Sequence, residues 1–157
     1  MNMTFKEKST WLSLIATLII FGDYAISVFS MDSMILNQDE MIELAMDNLG
    51  SAILLIIIVE IIFQTLIALS SNKQVEEDER DKLITLTANN SGYWVLSIGA
   101  IITMGQLLLP HVAVIGEIVQ ERLPIPLFEM HLLLFSFILA EIVRFSHQVY
   151  LYRKDAL

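Results

Sequence analysis

The sequence predicts an all-α integral membrane protein: a bundle of four transmembrane helices with both termini in the cytoplasm. Four long apolar runs divide the 157 residues, and the mean hydropathy is +0.65. Charged residues make up only 17% of the chain and fall almost entirely between these runs. Because a soluble domain of this size carries about a quarter charged residues, the pattern favours a lipid-facing protein.

The apolar runs predict spans at about residues 11–29, 49–69, 93–109 and 127–143. About 20 residues at 1.5 Å per residue cross a hydrocarbon core of about 30 Å. Lipid offers no partner to backbone polar groups, so each run should be helical. The first run, which follows Lys6 and Lys8, could instead be a signal peptide. We interpret it as a retained span, because its apolar part is too long for the hydrophobic region of a typical signal peptide. In addition, no small-x-small cleavage site follows Phe29.

The distribution of lysine and arginine predicts the orientation. Eight of the nine basic residues lie at the amino end, between the second and third runs, or at the carboxyl end: Lys6, Lys8, Lys73, Arg80, Lys82, Arg144, Arg153 and Lys154. The two other loops together carry only Arg122. The positive-inside rule therefore places both ends and the middle loop of a multi-pass cell-membrane protein in the cytoplasm. Trp11, Tyr93 and Trp94 then fall at the inner boundary, where amphipathic rings prefer to lie.

The two outer connections have different patterns. Residues 37–48 mix acidic with apolar side chains and predict an outward extension of the second helix. Residues 111–126 follow Pro110 and end at Pro126, and the valines and isoleucines between them predict a short helix on the outer surface. A re-entrant segment is the alternative for this stretch.

Composition and motifs argue against several function classes. A net charge of -9 is unusual for a protein that binds nucleic acid directly. The chain has no cysteine, which excludes disulfides and thiolate metal sites. No Gly-x-Ser-x-Gly, His-Glu-x-x-His or phosphate-binding glycine loop occurs, so neither an enzyme nor a cofactor is expected. No span contains Gly-x-x-x-Gly, and small-residue packing is expected instead from Ala16, Ala25, Ala52, Ser97 and Ala100.

The middle loop carries the most distinctive local pattern, with acids first and apolar residues later. Acidic side chains at a helix start meet the positive end of the macrodipole, and Glu76 with Arg80 stands at the favourable i,i+4 spacing. We therefore predict a cytoplasmic helix over about residues 76–88 that runs into the third span. Its candidates for docking a protein partner are Asp78, Glu79, Arg80 and Asp81. The alternatives are a solvated helix start without any partner and a magnesium site of paired carboxylates, although Arg80 interrupts the cluster.

The same segment resembles a known family. Asp78-Glu79-Arg80-Asp81, then Leu83-Ile84, Ala88-Asn89 and Tyr93, is similar to the signature of an uncharacterised family of bacterial and archaeal membrane proteins. Thr87 and Asn90 stand where that family usually has basic residues. The resemblance implies about four spans with an acidic loop before the third. It also implies a signalling role, because such genes often lie beside small helix-turn-helix regulators.

Polar residues within the spans are the second set of candidates, because charges are costly in lipid and tend to face the bundle. Glu60 lies near mid-membrane in the second span, and Gln64 follows four residues later on the same face. Glu60 is expected inside the bundle or at a subunit interface, as a polar helix contact or as part of a proton or cation pathway. Near the inner surface, Glu141 and Arg144 stand at the spacing of a structural ion pair.

A third set of polar residues lies at similar depths near the outer end: Asp23, Gln106, Glu129 and His131. They could form a small metal or proton site with His111, or a polar rim at the membrane interface. Because Glu129 and His131 are two residues apart, one helix face cannot present both. The identity of any metal is unknown from the sequence.

Two function classes follow. The first is a small membrane regulator or scaffold that docks a cytoplasmic protein through the helix over residues 76–88. The second is a subunit of a proton or small-cation transporter or channel that uses Glu60. A homo-oligomer is expected in the bilayer, because four short spans enclose little space. A membrane enzyme is a distant third.

Overall fold

The computed structural model describes residues 5–31, 37–70, 79–108 and 125–154, and all regular secondary structure within them is helical. Four long helices follow one another: α1 (Phe5–Ser30), α2 (Gln38–Ser70), α3 (Glu79–Leu108) and α4 (Phe128–Lys154). The predicted outer surface helix within residues 111–126 lies outside the described residues, apart from its last two positions. The all-helical prediction is confirmed for the described part.

Each helix is longer than the apolar run that predicted it, because polar turns extend the helix beyond the run. Helix α2 has 33 residues and α3 has 30, which at 1.5 Å per residue gives about 50 and 45 Å. Residues 38–48, which mix acidic with apolar side chains, form the first turns of α2. This start is capped by Asn37, whose side-chain oxygen accepts the backbone N–H of Glu40 at 2.9 Å while the Glu40 carboxylate accepts the N–H of Asn37 at 3.1 Å.

Three of the four helices are long and apolar enough to cross a membrane, namely α1 from Lys6, α2 as far as Phe63 and the whole of α3. This indicates a membrane protein. Helix α4 is not one of these three within the described residues, and its 27 residues include five charged side chains and two histidines.

The helices pack in the order α3, α4, α1, α2. Helix α4 has its largest contact with α3 and a second contact with α1, while α2 packs on the far side of α1 and barely reaches α4. The main apolar core lies between α1, α2 and α4, around Tyr24, Val28, Met31, Leu49 and Ile138. Helices α2 and α3 therefore lie at opposite edges, and each leaves a long apolar surface exposed.

Small residues form the seam between α3 and α4. Ala88 is fully buried there. A Cβ added to Gly92 would lie 3.0 Å from the carbonyl oxygen of Ala140, and one added to Gly99 would overlap the side chain of Ser136. Ala52 is buried, as expected for a packing residue, but it lies on α2 and takes no part in the contact between α3 and α4. The close contact between α3 and α4 thus depends on Gly92 and Gly99, which are seven residues apart. A search for Gly-x-x-x-Gly does not find this spacing.

Candidate functional site

The acidic motif lies at the start of α3, at the end of the molecule that also holds the beginning of α1 and the end of α4. Asp78 lies outside the described residues. Glu79 and Arg80 are exposed, whereas Asp81 is half-buried. Helix α3 continues unbroken from Glu79 into the predicted third span. The motif is therefore part of a continuous helix in its described positions.

Asp81 takes part in a cluster that joins three helices, and we call this cluster the inner clamp. Its carboxylate lies 3.4 Å from Nζ of Lys6 on α1 and accepts a hydrogen bond from the Tyr152 hydroxyl on α4. Beside it, Nε of Arg153 lies 2.7 Å from the Glu7 carboxylate. The clamp consists of Lys6, Glu7, Asp81, Tyr152 and Arg153, and it fixes the ends of α1, α3 and α4 relative to one another.

The environment of Tyr152 follows from the clamp. Its side chain is buried, and burial, followed by the adjacent negative charge and hydrogen bond of Asp81, raises the pKa of Tyr152 to about 12. The phenol is therefore a neutral donor at physiological pH. Ionisation of Tyr152 would place a second negative charge beside Asp81 and break the hydrogen bond that holds α4 to α3.

Polar contacts continue along α3 and α4 beyond the clamp. The Ser91 hydroxyl lies 2.7 Å from Nδ1 of His147, and the Gln148 amide donates to the Thr85 hydroxyl at 3.3 Å. Sequence reasoning singled out neither pair, because nothing in the spacing of α3 residues marks a partner on α4. Their effect is to satisfy polar groups on the carboxyl-terminal half of α4 through α3.

Glu141 and Arg144 form an ion pair one turn apart on α4. The guanidinium also lies over the Phe145 ring, 4.3 Å from its centroid, which adds a cation–π contact. Both charged side chains are about three-quarters buried. Because α4 packs on α1 and α3, the pair lies within the helical layer.

Glu60 lies on α2 with its side chain exposed in the single chain. Exposed isoleucines surround it in the sequence, at positions 57, 58, 61 and 62. The Glu60 carboxylate is close enough to Glu141 for the two charges to interact. Gln64 belongs to α2, but its side chain lies outside the description. The structure thus brings Glu60 toward the ion pair of Glu141 and Arg144.

The outer polar residues do not gather at one point. His131 is 1% exposed, and its Nδ1 forms a short hydrogen bond with the hydroxyl of Tyr24, which is 3% exposed. Asp23 is exposed in a cleft between α1 and α2. Gln106 lies on α3 and Glu129 in the first turn of α4, while His111 lies outside the described residues. Tyr24, which sequence reasoning had not selected, is the partner that accounts for a buried histidine.

The described residues contain no group of three or more His, Cys, Asp or Glu side chains that could hold a metal ion. In the same part of the chain, Nε2 of His131 is buried without a hydrogen-bond partner. No family model, no curated protein and no solved structure matches this chain.

Proposed function

We propose that this protein is a small membrane regulator or scaffold that docks a cytoplasmic protein partner on the start of α3. The observation that carries the proposal is an exposed mixed surface on a helix end that the inner clamp holds in place. Glu79, Arg80 and Lys82 are exposed there. Leu83 and Leu86 follow, each with 66% of its surface exposed. We call these five residues the docking face.

The docking face combines features that protein partners use. Two exposed leucines supply apolar area to bury, and charges of both signs beside them supply orientation and specificity. Asp81 is occupied by Lys6 and Tyr152, so the helix presents its outward side in one fixed orientation. A preorganised surface loses less conformational entropy on binding.

The position of the docking face relative to the membrane supports a cytoplasmic partner. Leu83 precedes the exposed aromatic pair Tyr93 and Trp94 by ten residues, or about 15 Å along the helix. Aromatic rings of this kind mark a membrane boundary. Lys6 and Arg153 belong to the same end of the molecule through the inner clamp, which agrees with a cytoplasmic end under the positive-inside rule.

The same reasoning supports four spans with both termini in the cytoplasm. Helix α4 contacts α1 near both of its ends, through Glu7 with Arg153 and through Tyr24 with His131. A helix pinned to a membrane span at these two levels crosses the membrane beside it. Reporter fusions after Asn72 and after Leu157 should both report the cytoplasm, and a periplasmic signal at either site would reject this topology.

The docking proposal is tested by photo-crosslinking in cells. A photoreactive p-benzoylphenylalanine at position 83 should give a protein adduct of defined mass. The matched control places the same group at Ile101, which is exposed on the apolar part of α3 and should give no protein adduct of that mass. Reversing the charges with Glu79→Arg and Arg80→Glu should abolish the adduct at position 83. Identical adducts before and after charge reversal would contradict the proposal.

A second function is favoured by one observation, the approach of Glu60 to the ion pair of Glu141 and Arg144. Two carboxylates that approach each other in a low-dielectric setting attract a proton or a cation. This arrangement suits a proton or small-cation transporter or channel subunit. Four short spans enclose little space, so such a path requires several copies of the chain.

The transport function is tested by flux in liposomes. Glu60→Gln keeps the size and hydrogen-bonding groups of the side chain but removes its charge, and it should abolish proton or cation flux while leaving assembly intact. Glu43→Gln, on the outer extension of the same helix, is the matched control and should retain flux. Undiminished flux in the Glu60→Gln variant would exclude the pathway.

A further inference from the structure

The outer half of the α1–α2 contact contains a cleft of about 80 Å³. Its lining residues recur every three or four positions on both helices, so that one face of each helix contributes. The antiparallel helices place Ile20 and Leu55 at the inner end and Ser27 and Asn48 at the outer end, with Asp23 and Ser51 between them. The cleft therefore has an apolar inner end and a polar middle and mouth.

Oxygen atoms dominate the polar part of the cleft. Asp23 supplies a carboxylate, and Ser27 and Ser51 supply hydroxyls. The amide nitrogen of Asn48 donates to Sδ of Met31 at 3.7 Å, which leaves its amide oxygen as the unused group. Four side chains from two helices thus offer one charged and three neutral oxygen donors.

No positive charge from the described helices balances Asp23. Helix α2 contains no lysine or arginine, and the two lysines of α1 lie at its opposite end. In the described part of the chain Asp23 forms no salt bridge. Four further acids, Asp39, Glu40, Glu43 and Asp47, are exposed on the outer extension of α2 above the cleft. The negative electrostatic potential of these carboxylates raises the local concentration of cations at the mouth of the cleft.

We propose that this cleft binds a monovalent alkali cation of the size of Na⁺. Oxygen ligands suit hard cations rather than zinc or copper. One carboxylate neutralises one positive charge, whereas Ca²⁺ sites usually recruit several carboxylates. The volume holds a small ion with a few water molecules, since about 10–15 Å³ of cavity measured in this way holds one water. The bound ion would bridge α1 and α2 and neutralise the charge of Asp23.

The test measures binding of ²²Na⁺ to the purified full chain in nanodiscs of phosphatidylcholine, with choline chloride keeping the ionic strength constant. Binding should be saturable and should be displaced by unlabelled Na⁺ but not by choline. Asp23→Asn should weaken it at least about tenfold, because the single formal charge of the site is lost. Glu79→Gln, at an exposed position on the opposite end of the molecule, is the control and should change the affinity less than about twofold.

A variant that gains binding of a different ion tests the site even where a loss of Na⁺ binding could result from misfolding. Asn48→Asp places a second carboxylate in the cleft and should shift the preference from Na⁺ toward Ca²⁺. Circular dichroism should show unchanged helicity for each variant. Equal ²²Na⁺ binding by the original chain and by Asp23→Asn, or no saturable binding by the original chain, would overturn the proposal. An unchanged ion preference in Asn48→Asp would remove Asn48 from the site and overturn the proposed donor set.

Discussion

Replacement of Gly99 by alanine should loosen the contact between α3 and α4. The added Cβ would overlap the Ser136 side chain and lie 3.5 Å from its Cα. Because the overlap is with the base of that side chain, a rotamer change cannot relieve it, and one of the helices must shift. Overpacking of this kind costs about 1 to 3 kcal/mol. The gain in helix propensity from glycine to alanine offsets about 1 kcal/mol of that.

At the upper end of that range, the overpacking cost of about 3 kcal/mol is reduced by the propensity gain of about 1 kcal/mol. Gly99→Ala should therefore lower the free energy of unfolding by about 2 kcal/mol. Gly105→Ala is the matched control, because nothing lies within 4 Å of its added Cβ. That variant should be neutral or more stable by up to about 1 kcal/mol. Gly92→Ala should fall between them, since its nearest contacts are 3.0 and 3.2 Å.

Denaturant titration of the purified protein in detergent, followed by circular dichroism, measures these differences. The double variant Gly99→Ala with Ser136→Gly should recover stability relative to the sum of the single variants, with a coupling of about 1 kcal/mol or more. If Gly99→Ala proved as stable as Gly105→Ala, the close contact between α3 and α4 would be refuted.

Two further predictions concern buried tyrosines. Tyr24→Phe removes the hydroxyl bonded to His131 and should cost about 1 to 3 kcal/mol of unfolding free energy in the same titration, because it leaves a buried ring nitrogen unpaired. Tyr150→Phe, at an exposed position, should change stability by less than about 0.5 kcal/mol, and an equal effect of both changes would contradict the buried hydrogen bond. The pKa of Tyr152 is raised from 10.0 to about 12 in the folded protein, so its stabilising effect is complete below pH 10 and is lost as the pH rises toward 12. Thermal unfolding midpoints should fall across this window, and the fall should be smaller in Tyr152→Phe; identical pH profiles would refute the raised pKa of Tyr152.

The helices were predictable from the sequence because long apolar runs leave the backbone no other choice in lipid. Their ends were less predictable. The apolar run of the third span begins at Tyr93, whereas α3 begins at Glu79, since a helix continues wherever polar residues can face water or other helices. The acid-first pattern before α3 anticipated this extension, and Asn37 with Glu40 provides a capping signal for α2.

The tertiary partners were not predictable from spacing within one helix. Glu141 and Arg144 stand one turn apart, so helical geometry alone suggests their ion pair. Tyr24 with His131 joins residues 107 positions apart, and the contact depends on the depth and rotation of two helices. Asp81 is a similar case, because a solvated helix start and an interhelical clamp have the same local sequence. Its contacts with Lys6 and Tyr152 appear only when α1, α3 and α4 are assembled.

Helix α4 is the least apolar of the four helices and contacts each of the other three. Helix α4 carries polar side chains toward α1 and α3, where His131, His147 and Gln148 each find a partner. Polar groups satisfied by neighbouring helices need not face lipid, so this helix can cross a membrane despite its composition. Helix α2 is the opposite case, apolar on most sides and held mainly by α1. Glu60 on α2 and the oxygen donors of the cleft between α1 and α2 are therefore where ion binding should be sought.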